Sequence, residues 1–318
     1  MTSRILVFGA DHYLGSRVFS ALRSSSWAVP VAFRAPPPTL SAADLQEAGG
    51  IVNCTGGSAR AIVACARALY PMLSRASAAI PVVHLSSMTI YGSSNRAVDE
   101  TSAPGEDLSA YAAAQVEGER YASLYPQSVR LRLGCEYGPG CAEWSERVAR
   151  WLIARRVGDL GSAGDGSCNL LYVDDLVAAV SAALQLPHIG GEVLNLAMRS
   201  PPSWNEYFER FGRALGAIPI ARIGPRRLMV ETKIFAPPLK VLEIVARRAT
   251  PLGPYVPPPI PPSVLKLCGQ HIRLDVSRAE SALHLKWTSL DEGLATTAAA
   301  ILSSNNRRSP DRGRPEPL

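Results

Sequence analysis

Residues 85–120 read LSSMTIYGSSNRAVDETSAPGEDLSAYAAAQVEGER, and the order of the groups in that stretch decides both the fold and the place to look for chemistry. An apolar run closing on Ser86 and Ser87 predicts a buried strand with hydroxyls at its end, and Tyr111 falls on the helix that follows. A seryl and a tyrosyl hydroxyl so placed can reach one substrate oxygen. Ser87 would orient that oxygen while Tyr111 gives or takes its proton.

Working outward, residues 4–23, RILVFGADHYLGSRVFSALR, read as a strand, a tight turn at Gly9 to Gly15 and a helix with apolar spacing at Val18 and Leu22. This is the opening of a dinucleotide-binding unit. Gly9, Asp11, His12, Tyr13 and Gly15 would line the cofactor, with His12 at the central position of the loop. A turn that joins strand to helix and holds no ligand is the plainer reading. The second strand, AVPVAFR, ends at Arg34, whose guanidinium suits a 2′-phosphate and favours NADP over NAD. A solvated surface arginine is the alternative there. Between Arg34 and the next buried strand, GGIVNCTGG, lies material for about one helix, and Pro36–Pro38 cannot donate to a strand ladder. An edge strand is therefore expected to be missing or reduced.

Composition narrows the class. The chain has 318 residues, 47% hydrophobic and 19% charged, which fits a folded protein with a substantial core. Its formal charge is +6, yet Lys233, Lys240, Lys266 and Lys286 are the only lysines and no basic block carries interleaved aromatics, so nucleic acid is not an expected partner. Six scattered cysteines make neither a CxxC pair nor a metal-ligand pattern and read as reduced, buried thiols. The opening MTSRILVFGA reads as a first strand rather than a signal peptide, and no apolar run reaches the roughly 18 residues of a spanning helix. A cytoplasmic location is the default expectation.

The quoted stretch, the glycine loop, SVRLRLG with CEYGPG (residues 128–140), GDGSCNLLYVDDL (164–176), GEVLNLA (191–197) and LDVSRAESALHLKWTSLDEGL (274–294) together resemble the extended short-chain dehydrogenase/reductase family of the epimerase/dehydratase type. The resemblance covers residues 4 to about 302. It implies a doubly wound, Rossmann-like α/β parallel sheet over residues 1–140, with a smaller substrate-binding part over 141–302 and a segment, 169–198, returning to the first domain. Residues 303–318 are expected to be a disordered tail. A small-molecule substrate and a homodimer are implied by the resemblance alone.

Two positions depart from the family pattern. His12 replaces the middle glycine of the loop, and Gln115 stands where the family has a lysine four residues after the tyrosine. That lysine would depress the phenol pKa and hold the nicotinamide ribose. Gln115 can contact ribose but brings no charge, and a free phenol titrates near pH 10. Three readings follow: a reductase using Tyr111 as a neutral donor, a non-redox isomerase, dehydratase or cyclase on the same groups, and an inactive binding protein. Where nucleotide-sugar members place an asparagine and an arginine for the diphosphate, the chain has Cys135 and Cys168, so a nucleotide sugar ranks behind a lipophilic alcohol or ketone. Apolar Leu239, Leu242 and Val245 beside Arg247 and Arg248 suggest an amphipathic helix, read as a lid, a membrane-resting surface or an ordinary packed helix.

Overall fold

The computed structural model describes residues 2–33, 40–76, 79–186, 188–235 and 258–308. The chain divides into two units: Met1–Glu136 with Asn169–Pro201 and Gln270–Thr288, and Tyr137–Cys168 with Pro202–Gly269 and Ser289–Leu318. In chain order the elements are β1 (Ser3–Phe8), α1 (Tyr13–Ser24), β2 (Ala28–Phe33), α2 (Ala42–Glu47), β3 (Ala48–Asn53), α3 (Ala59–Leu73), β4 (Val82–Ser87), β5 (Ala97–Val98), α4 (Ala110–Ala122), β6 (Ser128–Leu133), β7 (Cys135–Tyr137) and α5 (Arg147–Ile153). There follow β8 (Leu170–Tyr172), α6 (Val173–Gln185), β9 (Val193–Leu196), α7 (Trp204–Ala214), α8 (Pro225–Met229), α9 (Pro262–Cys268), β10 (Arg273–Leu274), α10 (Ser277–Leu283) and α11 (Leu290–Arg308).

The first unit is built on a parallel six-stranded sheet in the order β2-β1-β3-β4-β6-β9. Both faces are covered, which explains why its strands read as continuous apolar runs. Ile5, Val7, Val52, Val83 and Leu131 pack on one face with Val18 and Leu22 of α1 and Leu176 and Val180 of α6. Leu6, Phe8, Ile51 and Val82 turn to the other, against Cys65, Leu69 and Leu73 of α3. The strand order reverses between β1 and β3, so their carboxyl ends open the crevice where doubly wound sheets take ligands.

Strand β2 is the edge, and Pro30 within it lies opposite Ile5, a position where a missing N–H leaves no gap in the ladder. No strand lies outside β2 among the described residues. The crossover to β3 holds only α2, which is capped reciprocally by Ser41 and Asp44 and tied to β1 by Arg4, 2.9 Å from both Asp44 and Glu47. Arg34 and Pro36–Pro38 lie outside the described residues, as does the stretch from Leu239 to Arg248.

The second unit has an aromatic core. Trp204, Tyr207, Phe208 and Phe211 of α7 are fully buried, Trp144 packs on Trp204 with ring centroids 5.1 Å apart, and Tyr207 donates a hydrogen bond to the Trp144 carbonyl.

Two boundaries differ from the sequence expectation. The first unit reclaims residues 270–288 in addition to the segment after Asn169, because Asn169 donates to the Ile272 carbonyl at 2.8 Å and accepts from the Leu274 N–H at 3.0 Å. Asp175 likewise accepts from the Thr288 N–H at 3.0 Å and its hydroxyl at 2.6 Å. The expected boundary at residue 303 falls within α11, which runs through Arg308, and residues 309–318 lie outside the described residues. The polar run SSNNRR contains no helix breaker, and Pro310 is the first residue that removes a backbone donor.

Candidate active site

Strand β4 delivers Ser87 to the carboxyl end of the sheet, and α4 starts with Tyr111 in its first turn, the helix being capped by Ser109, whose hydroxyl accepts from the Ala112 N–H at 3.2 Å. Ser87 accepts from the Thr89 N–H at 3.3 Å and from the Thr89 hydroxyl at 3.1 Å, which leaves its own hydrogen for another acceptor. One helical turn after Tyr111, the Gln115 amide donates to the phenol oxygen at 2.9 Å. The phenol hydrogen is therefore also directed elsewhere. Gln115 is only 3% exposed, and its Oε1 is buried without a hydrogen-bond partner. A buried, unsatisfied acceptor beside the catalytic candidate fits a hydroxyl-bearing ligand such as a ribose.

Electrostatics set the state of Tyr111. Burial of its hydroxyl end raises the phenol pKa although the residue as a whole is 41% exposed, the nearby Glu136 charge raises it further, and the hydrogen bonds with Gln115 and Ser87 oppose the rise only in part. Tyr111 is therefore a neutral phenol at physiological pH, able to donate. Glu136 itself is pushed up to about 7 by burial. The sequence reading took residues 135–140 as a turn signature and passed over this carboxyl, whose position depends on the strand register.

Below these groups the same helix face carries Glu119, so that Tyr111, Gln115 and Glu119 follow one another at helical intervals. Glu119 accepts from the Ser86 hydroxyl at 2.6 Å and from Arg132 at 2.8 Å and 3.0 Å. Arg132 also donates to the Tyr91 hydroxyl at 2.9 Å, and Tyr91 donates to Asn195 at 2.7 Å. These bonds fasten α4 to the strand that carries Ser87 and to β6 and β9. The arginine holds the Glu119 carboxyl below its ordinary range despite burial.

The crevice between β1 and β3 holds the other predicted residues. Gly9 has φ +76°, and a Cβ on Gly15 would lie 2.1 Å from the Gly9 carbonyl oxygen, so the turn closes only with glycine there. His12 caps α1 through its backbone without a side-chain cap bond, its N–H donating to the Gly9 carbonyl at 3.0 Å. Its imidazole lies over Gly57 of the β3–α3 loop: a Cβ on that glycine would sit 3.2 Å from the imidazole Cε1. Asp11 is exposed and Tyr13 is half-buried at the first turn of α1. The glycine turn, the helix start and the unsatisfied Gln115 oxygen fit a dinucleotide, with His12 as the one departure. Cys135 and Cys168 are buried, at 6% and 0% exposure. Among the described residues there is no metal-ligating cluster and no helix long and apolar enough to cross a membrane.

Comparison with known proteins agrees with this fold. Residues 42–197 match the profile of the NAD dependent epimerase/dehydratase family. The chain is 30% identical over 244 residues to a 2′-dehydrokanamycin reductase of Streptomyces kanamyceticus, covering 68% of this chain and 67% of that protein. Similar folds include a UDP-glucuronic acid 4-epimerase from Bacillus cereus in complex with UDP-glucuronic acid and NAD (TM-score 0.69, 19% identity, covering 95% of this chain and 99% of that one). Human epimerase family protein SDR39U1 with NADPH is also similar (TM-score 0.66, 19% identity, 93% and 99%). The first of these was crystallised with NAD and the second with NADPH. With its Rossmann-like sheet, its glycine turn and its serine–tyrosine pair, the chain belongs to the NAD-dependent epimerase/dehydratase family of short-chain dehydrogenases/reductases.

Proposed function

We propose that the chain is an NAD(P)-dependent reductase of a ketone on a small polyhydroxylated molecule, working through Tyr111 as a neutral proton donor. The observation that carries this reading is the Gln115 amide donating at 2.9 Å to a phenol whose pKa is raised. With a lysine in that place the phenol would ionise readily and serve either direction. With an uncharged amide, the proton stays on Tyr111 until an acceptor stronger than water is formed beside it.

When bound, a reduced nicotinamide supplies the hydride to the carbonyl carbon. Ser87 donates to the carbonyl oxygen and fixes its position. Tyr111 transfers its proton to that oxygen as negative charge develops there, giving the alcohol and a tyrosinate that takes a proton from solvent afterwards. Gln115 holds the phenol through its Nε2 and offers Oε1 to a ribose hydroxyl. Gly9 and Gly15 let the dinucleotide backbone approach the start of α1, with Asp11, His12 and Tyr13 beside it; Arg34 remains the proposed contact for a 2′-phosphate.

The curated relative, a reductase of an oxidised kanamycin, supports a sugar-like ketone. The lipophilic substrate expected from sequence drew on the proline-rich apolar C-terminal part, much of it outside the described residues. Two buried thiols at Cys135 and Cys168 offer a diphosphate no strong donors, so a nucleotide sugar stays the lesser reading.

The test follows NADPH and NADH oxidation with a panel of keto sugars, comparing the natural chain with Tyr111→Phe. Removing the donor is expected to lower kcat by about 10²- to 10⁴-fold while calorimetric cofactor affinity holds. Undiminished turnover in the variant would sink the proton-donor assignment.

A further inference from the structure

Thr89 enters none of the steps above, yet it supplies two hydrogen bonds to Ser87. Ser87 caps a single 3₁₀ turn, Met88–Tyr91, by accepting from the Thr89 N–H at 3.3 Å. Beyond that cap the turn is held by the Gly92 N–H, which donates to the Thr89 carbonyl at 3.1 Å, and by the Gly105 N–H, which donates to the Ile90 carbonyl at 2.9 Å. Met88, Ile90 and Tyr91 are buried, and Thr89 is the one residue of the turn left exposed. Its hydroxyl is not needed to close the turn, since the backbone and Ser87 already do so. It donates back to Ser87 Oγ at 3.1 Å.

A seryl oxygen has one hydrogen and two acceptor positions. At Ser87 Thr89 takes both acceptor positions, and the hydrogen is what remains for a ligand. Tyr111 is arranged in the same sense: the Gln115 amide donates to the phenol oxygen at 2.9 Å, and the phenol hydrogen remains. A hydroxyl that receives a hydrogen bond is the stronger donor, because the incoming bond polarises the outgoing one. Both groups that would meet the reacting oxygen therefore present hydrogens.

We propose that Thr89 is the positioning residue that makes Ser87 a donor only, so that the site selects a ketone over the alcohol it becomes. The inference rests on the reductase reading and deepens it. A carbonyl oxygen has two lone pairs and no hydrogen, which matches two donors. A hydroxyl brings a hydrogen that Ser87 cannot accept. Straight after proton transfer the tyrosinate accepts it, but once Tyr111 has regained its proton from solvent the alcohol is mismatched and released. The polarised Ser87 hydrogen counts for most as negative charge develops on the oxygen, which places its effect on kcat rather than KM.

The experiment uses the full chain with NADPH, the keto sugar turned over fastest in the panel above, and the corresponding alcohol as an inhibitor. Thr89→Val removes the hydroxyl while keeping the N–H and the shape, and Thr89→Ser keeps the hydroxyl. In Thr89→Val, kcat is expected to fall about five- to tenfold with KM changed by less than about twofold, the scale of one hydrogen bond. The alcohol should inhibit about three- to tenfold more tightly, because Ser87 gains an open acceptor position. Thr89→Ser should match the natural chain in both respects. Thermal unfolding checks that each variant is folded, and Thr89→Ala repeats the measurement if the valine variant is not. An undiminished kcat in Thr89→Val, or alcohol inhibition that does not tighten, would overturn the inference and leave the reductase reading standing. A loss in Thr89→Ser equal to that in Thr89→Val would also overturn it, since shape rather than the hydroxyl would then be what matters. Turnover of no keto sugar by the natural chain would overturn the reductase reading, and the inference with it.

Discussion

The two ends of one helix face are built on opposite terms. Near the start of α4, Tyr111 is 41% exposed and Gln115 keeps a buried oxygen without a partner. Two turns later Glu119 is 7% exposed and bonded to both Ser86 and Arg132, which in turn reaches Tyr91. Hydrogen-bonding capacity is left open where a ligand has to be met and is filled where strands and helix must be held together. The exchange at Gln115 therefore leaves the frame untouched, because Glu119 alone ties this face of the helix to Ser86 and Arg132.

The sharpest way to break that comparison is to damage the frame. Arg132→Met would leave the Glu119 carboxylate buried without its cation and is expected to cost about 3–5 kcal/mol of stability, read by urea unfolding. The same measurement on Tyr111→Phe should move by about 1 kcal/mol, since the phenol oxygen that accepts from Gln115 is all that is lost. If both variants were equally unstable, the division between site and frame would be wrong.

A second test uses pH. His84 sits two residues before Ser86 on β4, 2% exposed, with its Nδ1 2.8 Å from the Tyr70 hydroxyl and 3.2 Å from the Asn53 amide. Burial pushes the imidazole down to about 4 from 6.5. Below pH 6.5 the unfolded chain takes up a proton that the folded chain refuses, so stability is full above that value and falls as pH drops towards 4. The loss should reach roughly 3 kcal/mol at the lower end. His84→Gln should flatten the curve in that window, whereas the loss from protonating Glu119 begins as pH falls through the ordinary carboxylate value and is completed below it. A natural chain equally stable at pH 7 and pH 4.5 would remove His84 from the frame.

How much of this could be read from the chain follows the same division. The sheet, its reduced edge and the Ser87–Tyr111–Gln115 group were legible because they rest on local signals: apolar runs, glycine at a turn that admits no Cβ, and residues one helical turn apart. Glu136 was not, since its neighbourhood with Tyr111 comes from the pairing of β4 with β6 and has no local mark. The return of residues 270–288 was hidden for a related reason, as Asn169 and Asp175 find their partners about a hundred residues away in sequence. His12 stood out as an oddity in the loop, but its packing on Gly57 needed two loops brought together by the sheet.

The smallest expected effect sharpens the comparison most directly at its changed position. Gln115→Lys would put a cation where the amide now donates to the phenol at 2.9 Å. The new charge favours tyrosinate, against the burial and the Glu136 charge that now raise the pKa. Oxidation of the alcohol product requires that ionised form as base, so its rate at pH 9 should rise by about tenfold, equivalent to a fall of about one pKa unit. Reduction at pH 7 uses the neutral phenol and should change much less. The two directions must be measured on the same variant, because a general loss of activity would lower both, and a site indifferent to charge at residue 115 would leave both where they were. Only an unequal response, with oxidation rising along the pH axis while reduction holds, is what a one-way proton donor made by exchanging an ammonium for an amide predicts.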